Sequence, residues 1–167
     1  MDQPSLYDDD IVTWAEQQTS TLRELARRTD QSDILDRENV AEESVGRSQI
    51  AAVESPLAQT LAQLLERLSA PNTLPVEHWR KEAGTFQVAA FARYERSMRQ
   101  RLDWDKIWSV AQAQAKLGLI SYGDTLLPHL PARCPLGPDD LLVPPFDPDA
   151  ALRAIAAAAA LKSPNQS

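Results

Sequence analysis

Two histidines, one cysteine and a short run of acids are the side chains of this chain best suited to chemistry. General acid–base work needs a partner group within hydrogen-bond reach and of suitable pKa. Helical di-metal sites pair a Glu with a His three residues on. Pro75 stands three before His78 and Leu126 three before His129, so neither histidine completes such a pair. Cys134 lies between Arg133 and Pro135. A reactive thiol needs a nearby base or cationic pocket, and neither histidine is near it in sequence, so it reads as an inert loop thiol. A single cysteine forms no intrachain disulfide, which fits a reducing compartment. The five glycines are scattered and build no phosphate loop. No Cys–His spacing suits zinc. The expectation is therefore no metal, no cofactor and no catalytic residue.

The densest polar group is Asp36, Glu38, Asn39, Glu42 and Glu43. Asn39 and Glu43 are four apart, as are Glu38 and Glu42, so on a helix each pair shares a face. That face suits a partner or a cation. It also suits a solvated first turn, where acids complement the helix dipole. The reading adopted is structure or partner docking rather than catalysis, with Asp36 as a helix cap. Arg93, Arg96, Arg99 and Arg101, near Tyr94 and Trp104, form a candidate anion patch. On a helix these arginines spread over more than one face, so salt bridges to the acidic N-terminal half are the preferred use. Residues 1–54 hold 13 acids and 5 bases, while residues 80–117 hold 8 bases and 4 acids. The net charge of −7 weakens a nucleic-acid reading.

The elements that must position these groups are helical. Ile11, Trp14, Gln18, Leu22 and Leu25 recur at helical spacing and predict a helix from about Asp8 to Arg27. A short turn with Ile34 and Leu35 follows, and Asp36 then caps a second helix running to about Ser69. Pro56 falls inside that second pattern. It leaves two outcomes, a kinked helix or a break capped by Ser55; the stripe Val53, Leu57, Leu61, Leu64, Leu68 keeps phase and favours the kink. A third helix starts near Val76, with Trp79, Ala83, Phe86, Ala90 and Tyr94 as its buried stripe. Ser97 and Gln100 have capping-box spacing, which starts a fourth helix at Met98 and ends it near Leu117 with Gly118 as its stop. A helix continuous through Ser97 is the alternative. More than half of the 12 prolines lie from Pro128 to Pro148, so that segment is irregular, with one short turn over Pro138 to Leu142. Asp147 and Pro148 open an Ala-rich helix through Leu161. The tryptophans sit among apolar neighbours at helical spacing and read as core.

Several segments together resemble the bacterial domain-of-unknown-function family 29. Tyr7-Asp8-Asp9-Asp10-Ile11-Val12-Thr13-Trp14, followed by Gln17-Gln18 and Leu22, is similar to its opening motif. Leu35-Asp36-Arg37-Glu38-Asn39-Val40-Ala41-Glu42-Glu43, then Gly46-Arg47-Ser48, is similar to its most recognisable motif. His78-Trp79-Arg80 and Cys134-Pro135-Leu136 through Leu141-Leu142 resemble later steps. The resemblance spans about residues 7 to 146. It implies a small helical bacterial protein with no established activity, and it singles out Asp10 and Trp14 beside Asp36, Asn39, Glu42 and Glu43. Relatives usually carry a basic residue and a His-Lys-Trp run along the second long helix, where Pro56, Gln63 and Leu64-Leu65-Glu66-Arg67-Leu68 stand here. In those relatives the spacing of an arginine and a histidine is similar to that of helical RNA-cleaving domains. This chain has no Arg four to six residues before either histidine.

The expected fold is all-α. It is a bundle of four main helices with an irregular Pro-rich C-terminal segment and a short Ala-rich terminal helix. Residues 1–146 are expected to form the bundle domain and residues 147–167 the terminal helix and tail. The expected function is a non-enzymatic interaction or regulatory module, through an unknown protein partner or self-association. The alternative is a helical nucleic-acid-processing or ligand-binding enzyme using the Asp36–Glu43 motif. The acidic N-terminus lacks an apolar run, and the Ala-rich segment is too short and too weakly apolar to span a bilayer. A cytoplasmic protein that binds no membrane is expected.

Overall fold

A computed structural model describes residues 6–73 and 75–162, and the side chains of residues 17–73 and 75–162. The chain divides into two units, Met1–Gly46 and Arg47–Ser167. Helix α1, Leu6–Ser69, runs through both. α2 is Val76–Arg93, α3 is Trp104–Ile120, α4 is Pro138–Leu141 and α5 is Pro148–Lys162. A 3-10 helix over Arg96–Arg101 joins α2 to α3. The described residues contain no strand, so the all-α expectation holds.

In the first unit the expected turn at Ile34 and Leu35 is replaced by helix. Asp36 is interior to α1 and caps nothing. The physical reason lies in the connecting residues. Thr29-Asp30-Gln31-Ser32-Asp33 contains no Gly or Pro, and once a helix is nucleated each added residue gains a backbone hydrogen bond. The side-chain caps that Asp and Ser offer compete poorly with that ladder in mid-helix. Among side chains 17–46 none is buried. Local contacts decorate the surface: Glu24 pairs with Arg27 and, at 3.4 Å, with Arg28. The Thr21 and Thr29 hydroxyls donate to carbonyls four residues back.

In the second unit α1 supplies the centre of the core. Val53, Leu57, Leu61 and Leu64 of the predicted stripe are fully buried, as is Leu65 beside it, while Leu68 is half-buried against the same core. The helix is continuous through Pro56, so the break at Ser55 is excluded. Pro56 cannot donate, yet its own carbonyl accepts from the Thr60 hydroxyl at 2.9 Å. α2 buries Trp79, Ala83 and Ala90 but ends at Arg93. Trp79 Nε1 donates to the Gln63 carbonyl of α1 at 2.8 Å, so the ring is both packed and satisfied.

The start of α3 differs from expectation. Ser97 and Gln100 lie in the 3-10 helix, and no capping bond of Ser97 forms. Asp103 is the cap instead, its carboxylate accepting from Lys106 N at 3.0 Å. Gly118 is not a stop but an interior residue of α3; a Cβ there would overlap the carboxylate of Glu66 on α1. The glycine that ends α3 is Gly123, at φ +74, beside backbone bonds from Gly123 and Asp124 back to the last turn.

The Pro-rich segment is held down at intervals. Leu127 N donates to Ser69 Oγ, Trp108 Nε1 to the Pro131 carbonyl, and buried Gln87 to the Leu141 carbonyl. The short turn expected near Pro138 is α4. Asp147 accepts from Asp149 N and Ala150 N and so caps α5. α5 buries Ala151, Ile155 and Ala159, and its Asp149 pairs with Arg80 of α2 at 2.9 Å.

Candidate interaction surface

Asp36, Asn39, Glu42 and Glu43 project from α1 as exposed side chains. Asp36, Asn39 and Glu43 recur at helical spacing on one face. Asp10 and Trp14 fall within the α1 backbone, but their side chains lie outside the described residues. Around the motif stand Leu22, Leu25, Ile34, Leu35, Val40 and Val45, each between 54% and 66% exposed. The segment thus combines an acidic motif with six large aliphatics that the first unit leaves in solvent.

The four arginines of the predicted anion patch are brought into one short stretch, Arg93 closing α2 and Arg96, Arg99 and Arg101 in the 3-10 helix. All four are exposed. Arg99 is bidentate to Asp139 at 2.7 and 2.9 Å. The guanidinium's hydrogen bonds hold the Asp139 carboxyl below its usual range. The expected counter-charges in the acidic N-terminal half are therefore corrected for Arg80 and Arg99. Their partners, Asp149 and Asp139, come from the C-terminal segment, because that segment passes alongside α2 and the 3-10 helix. Lys106 does meet an acid of the N-terminal half. Glu54, almost fully buried, accepts from Lys106 Nζ at 3.2 Å and from Asp103 N at 2.9 Å. Sequence reading passed over Glu54. Its signal is an acid lodged in the apolar stripe between Val53 and Leu57.

The groups best suited to chemistry are dispersed. His78 and His129 are exposed, on the first turn of α2 and in the loop after α3. Among the described residues no three His, Cys, Asp or Glu side chains are grouped to hold a metal. Cys134 lines a groove of about 480 Å³ with Leu102, Asp103, Trp104, Asp105, Arg133 and Leu136. Burial pushes its thiol up to about 11, so it is protonated at neutral pH and a poor nucleophile. A smaller groove of about 170 Å³ between α1 and α3 is lined by Ala51, Ser55 and Ala58 against Ile107 and Val110, with Glu54 and Lys106 at its edge. Among the described residues no helix is long and apolar enough to cross a membrane.

Comparison with known proteins agrees with this fold. The sequence model of the family described as domain of unknown function DUF29 matches residues 6–147. The crystal structure of an alpha-helical protein of unknown function from Rhodospirillum rubrum is similar at a TM-score of 0.62 and 31% identity. The similarity covers 90% of this chain and 98% of that one. No curated protein matches the chain.

Proposed function

We propose that this chain, which belongs to the family of domain of unknown function DUF29, is a non-enzymatic interaction module of the bacterial cytoplasm. The observation that carries the reading is the exposed stretch of α1. Most helical stability in proteins comes from packing an apolar face, not from propensity. Single exposed aliphatics are ordinary on any surface. Six within one stretch of helix, each more than half exposed and set around the Asp36–Glu43 motif, suit a docking surface. The net charge of −7 disfavours nucleic acid as the partner.

The test compares the full chain with a variant carrying Ile34→Glu, Val40→Glu and Val45→Glu, which alters both exposed aliphatic faces of the stretch. Both are immobilised and exposed to native lysate, and bound proteins are identified by mass spectrometry, the endogenous copy included. Wild type should retain a defined protein that the variant loses. Equal recovery by both, or none by either, would refute the reading.

A further inference from the structure

We infer that the partner of this helix is a second copy of the chain, docked antiparallel along the face that carries Arg23, Arg27, Ile34, Glu38, Glu42 and Val45. The inference rests on the interaction reading above and names its partner. These six residues follow one another at intervals of four, seven, four, four and three, so they share one face of α1. All six are exposed. Among the described residues Arg23, Glu38 and Glu42 have no ion-pair partner, and Arg27 meets only the half-exposed Glu24 of its own helix.

The charge along this stretch reverses. Residues 17–29 hold three arginines and one glutamate, and residues 30–46 hold six acids and one arginine. A surface that must fit itself across a two-fold axis needs its own complement at the matching position. An antiparallel pairing supplies it. Arg23 falls opposite Glu42 of the second copy, and Arg27 opposite its Glu38. The axis repeats both pairs, so four pairs of opposite charges meet. Ile34 of each copy lies beside the axis. A parallel, in-register pairing would set arginine on arginine and glutamate on glutamate. The face bearing Leu22, Leu25 and Val40 is a poorer candidate, because Asp33 and Asp36 lie near its middle and the two-fold would oppose acid to acid. Exposed ion pairs are individually weak and screened by salt. The association is therefore weak, salt-sensitive and specific in orientation.

Sedimentation of the full chain tests this. Wild type should show a concentration-dependent dimer that weakens as salt rises from about 0.05 to about 0.5 M. One variant carries Arg23→Glu and Arg27→Glu; the other carries Glu38→Arg and Glu42→Arg. Each alone should lose association at least tenfold, with helical content unchanged because every substituted site is exposed. Their equimolar mixture should restore a heterodimer, since both sets of pairs become complementary again. A wild type monomeric at every concentration, a variant that still dimerises alone, or a mixture that stays monomeric overturns the inference. If wild type is monomeric while another protein is captured through the same helix, the second copy is the wrong partner and the interaction reading stands. If nothing is captured and nothing dimerises, both fall.

Discussion

Cys134 shows burial, not sequence neighbours, setting reactivity. Arg133 beside it would lower a thiol pKa if the two met across a polar gap, yet desolvation dominates and the pKa rises to about 11. At pH 8 the thiolate fraction is then about a hundred-fold below that of an ordinary thiol. Alkylation of native protein should lag that of urea-unfolded protein by a comparable factor; equal rates would contradict the burial. The linked stability has a definite sign. A raised folded pKa gives a contribution fully present below the ordinary value of 9.0 and lost as pH rises through about 11. Glu66 follows the same rule in a lower window. Burial against Gly118 raises its carboxyl, so its contribution is full below the ordinary 4.5 and lost as pH climbs through the raised value. Glu66→Gln should therefore raise the thermal midpoint at pH 7, by about 1–2 °C because solvent screens the half-exposed group. Glu54 is the opposite case, a carboxylate with two donors. Glu54→Ala leaves Asp103 N–H and Lys106 without that acceptor and should cost about 1–3 kcal/mol in urea denaturation. Trp104 is only half-buried and the Trp14 side chain lies outside the described residues, but the core places of Trp79 and Trp108 were legible from spacing. Their acceptors, the Gln63 and Pro131 carbonyls, were not, because backbone acceptors carry no residue identity.

At the scale of elements, the sequence signals were right where a side chain had no competitor and wrong where the backbone offered two uses for it. Asp147-Pro148 starts α5 because proline cannot continue a helix backwards. The Val53–Leu68 stripe carried α1 through Pro56. Asp36 looked like a cap, but no Gly or Pro before it stopped the preceding helix. Ser97 was the cap the spacing predicted for α3, yet Asp103, which the sequence reading passed over, forms the bond. Asp103→Ala should thus cost about 0.5–2 kcal/mol, while Ser97→Ala should cost little. Equal losses in a thermal melt would show that the cap is misassigned. At the other end Gly118 was the stop the spacing predicted, and Gly123 was passed over. Only one has the left-handed backbone that a C-terminal stop requires, and φ is not written in the residue name.

For the whole molecule, composition excluded more than it identified. One cysteine, five glycines and a negative balance ruled out a disulfide scaffold and argued against a phosphate loop before any fold was known. Long-range pairs such as Arg80–Asp149 and Arg99–Asp139 could not be read, since partners 69 and 40 residues apart are set by the path of the Pro-rich segment. That path also explains why Arg80 and Arg99 find their counter-charges downstream.

α1 is a single ladder of backbone bonds whose later part lies in a core, while none of the side chains 17–46 is buried. Its turns consequently have unequal lifetimes. Local opening is cheapest where few apolar contacts must be broken, so a protease meets the stretch before Arg47 first. Arg23, Arg27, Arg28 and Arg37 are ready trypsin sites on exposed helix. Brief digestion should release the stretch before Ser48 and leave a resistant fragment beginning there, still melting cooperatively; early cleavage in α2 or α3 would contradict this. One end of one helix can thus be trimmed away without unfolding the core that holds the other end.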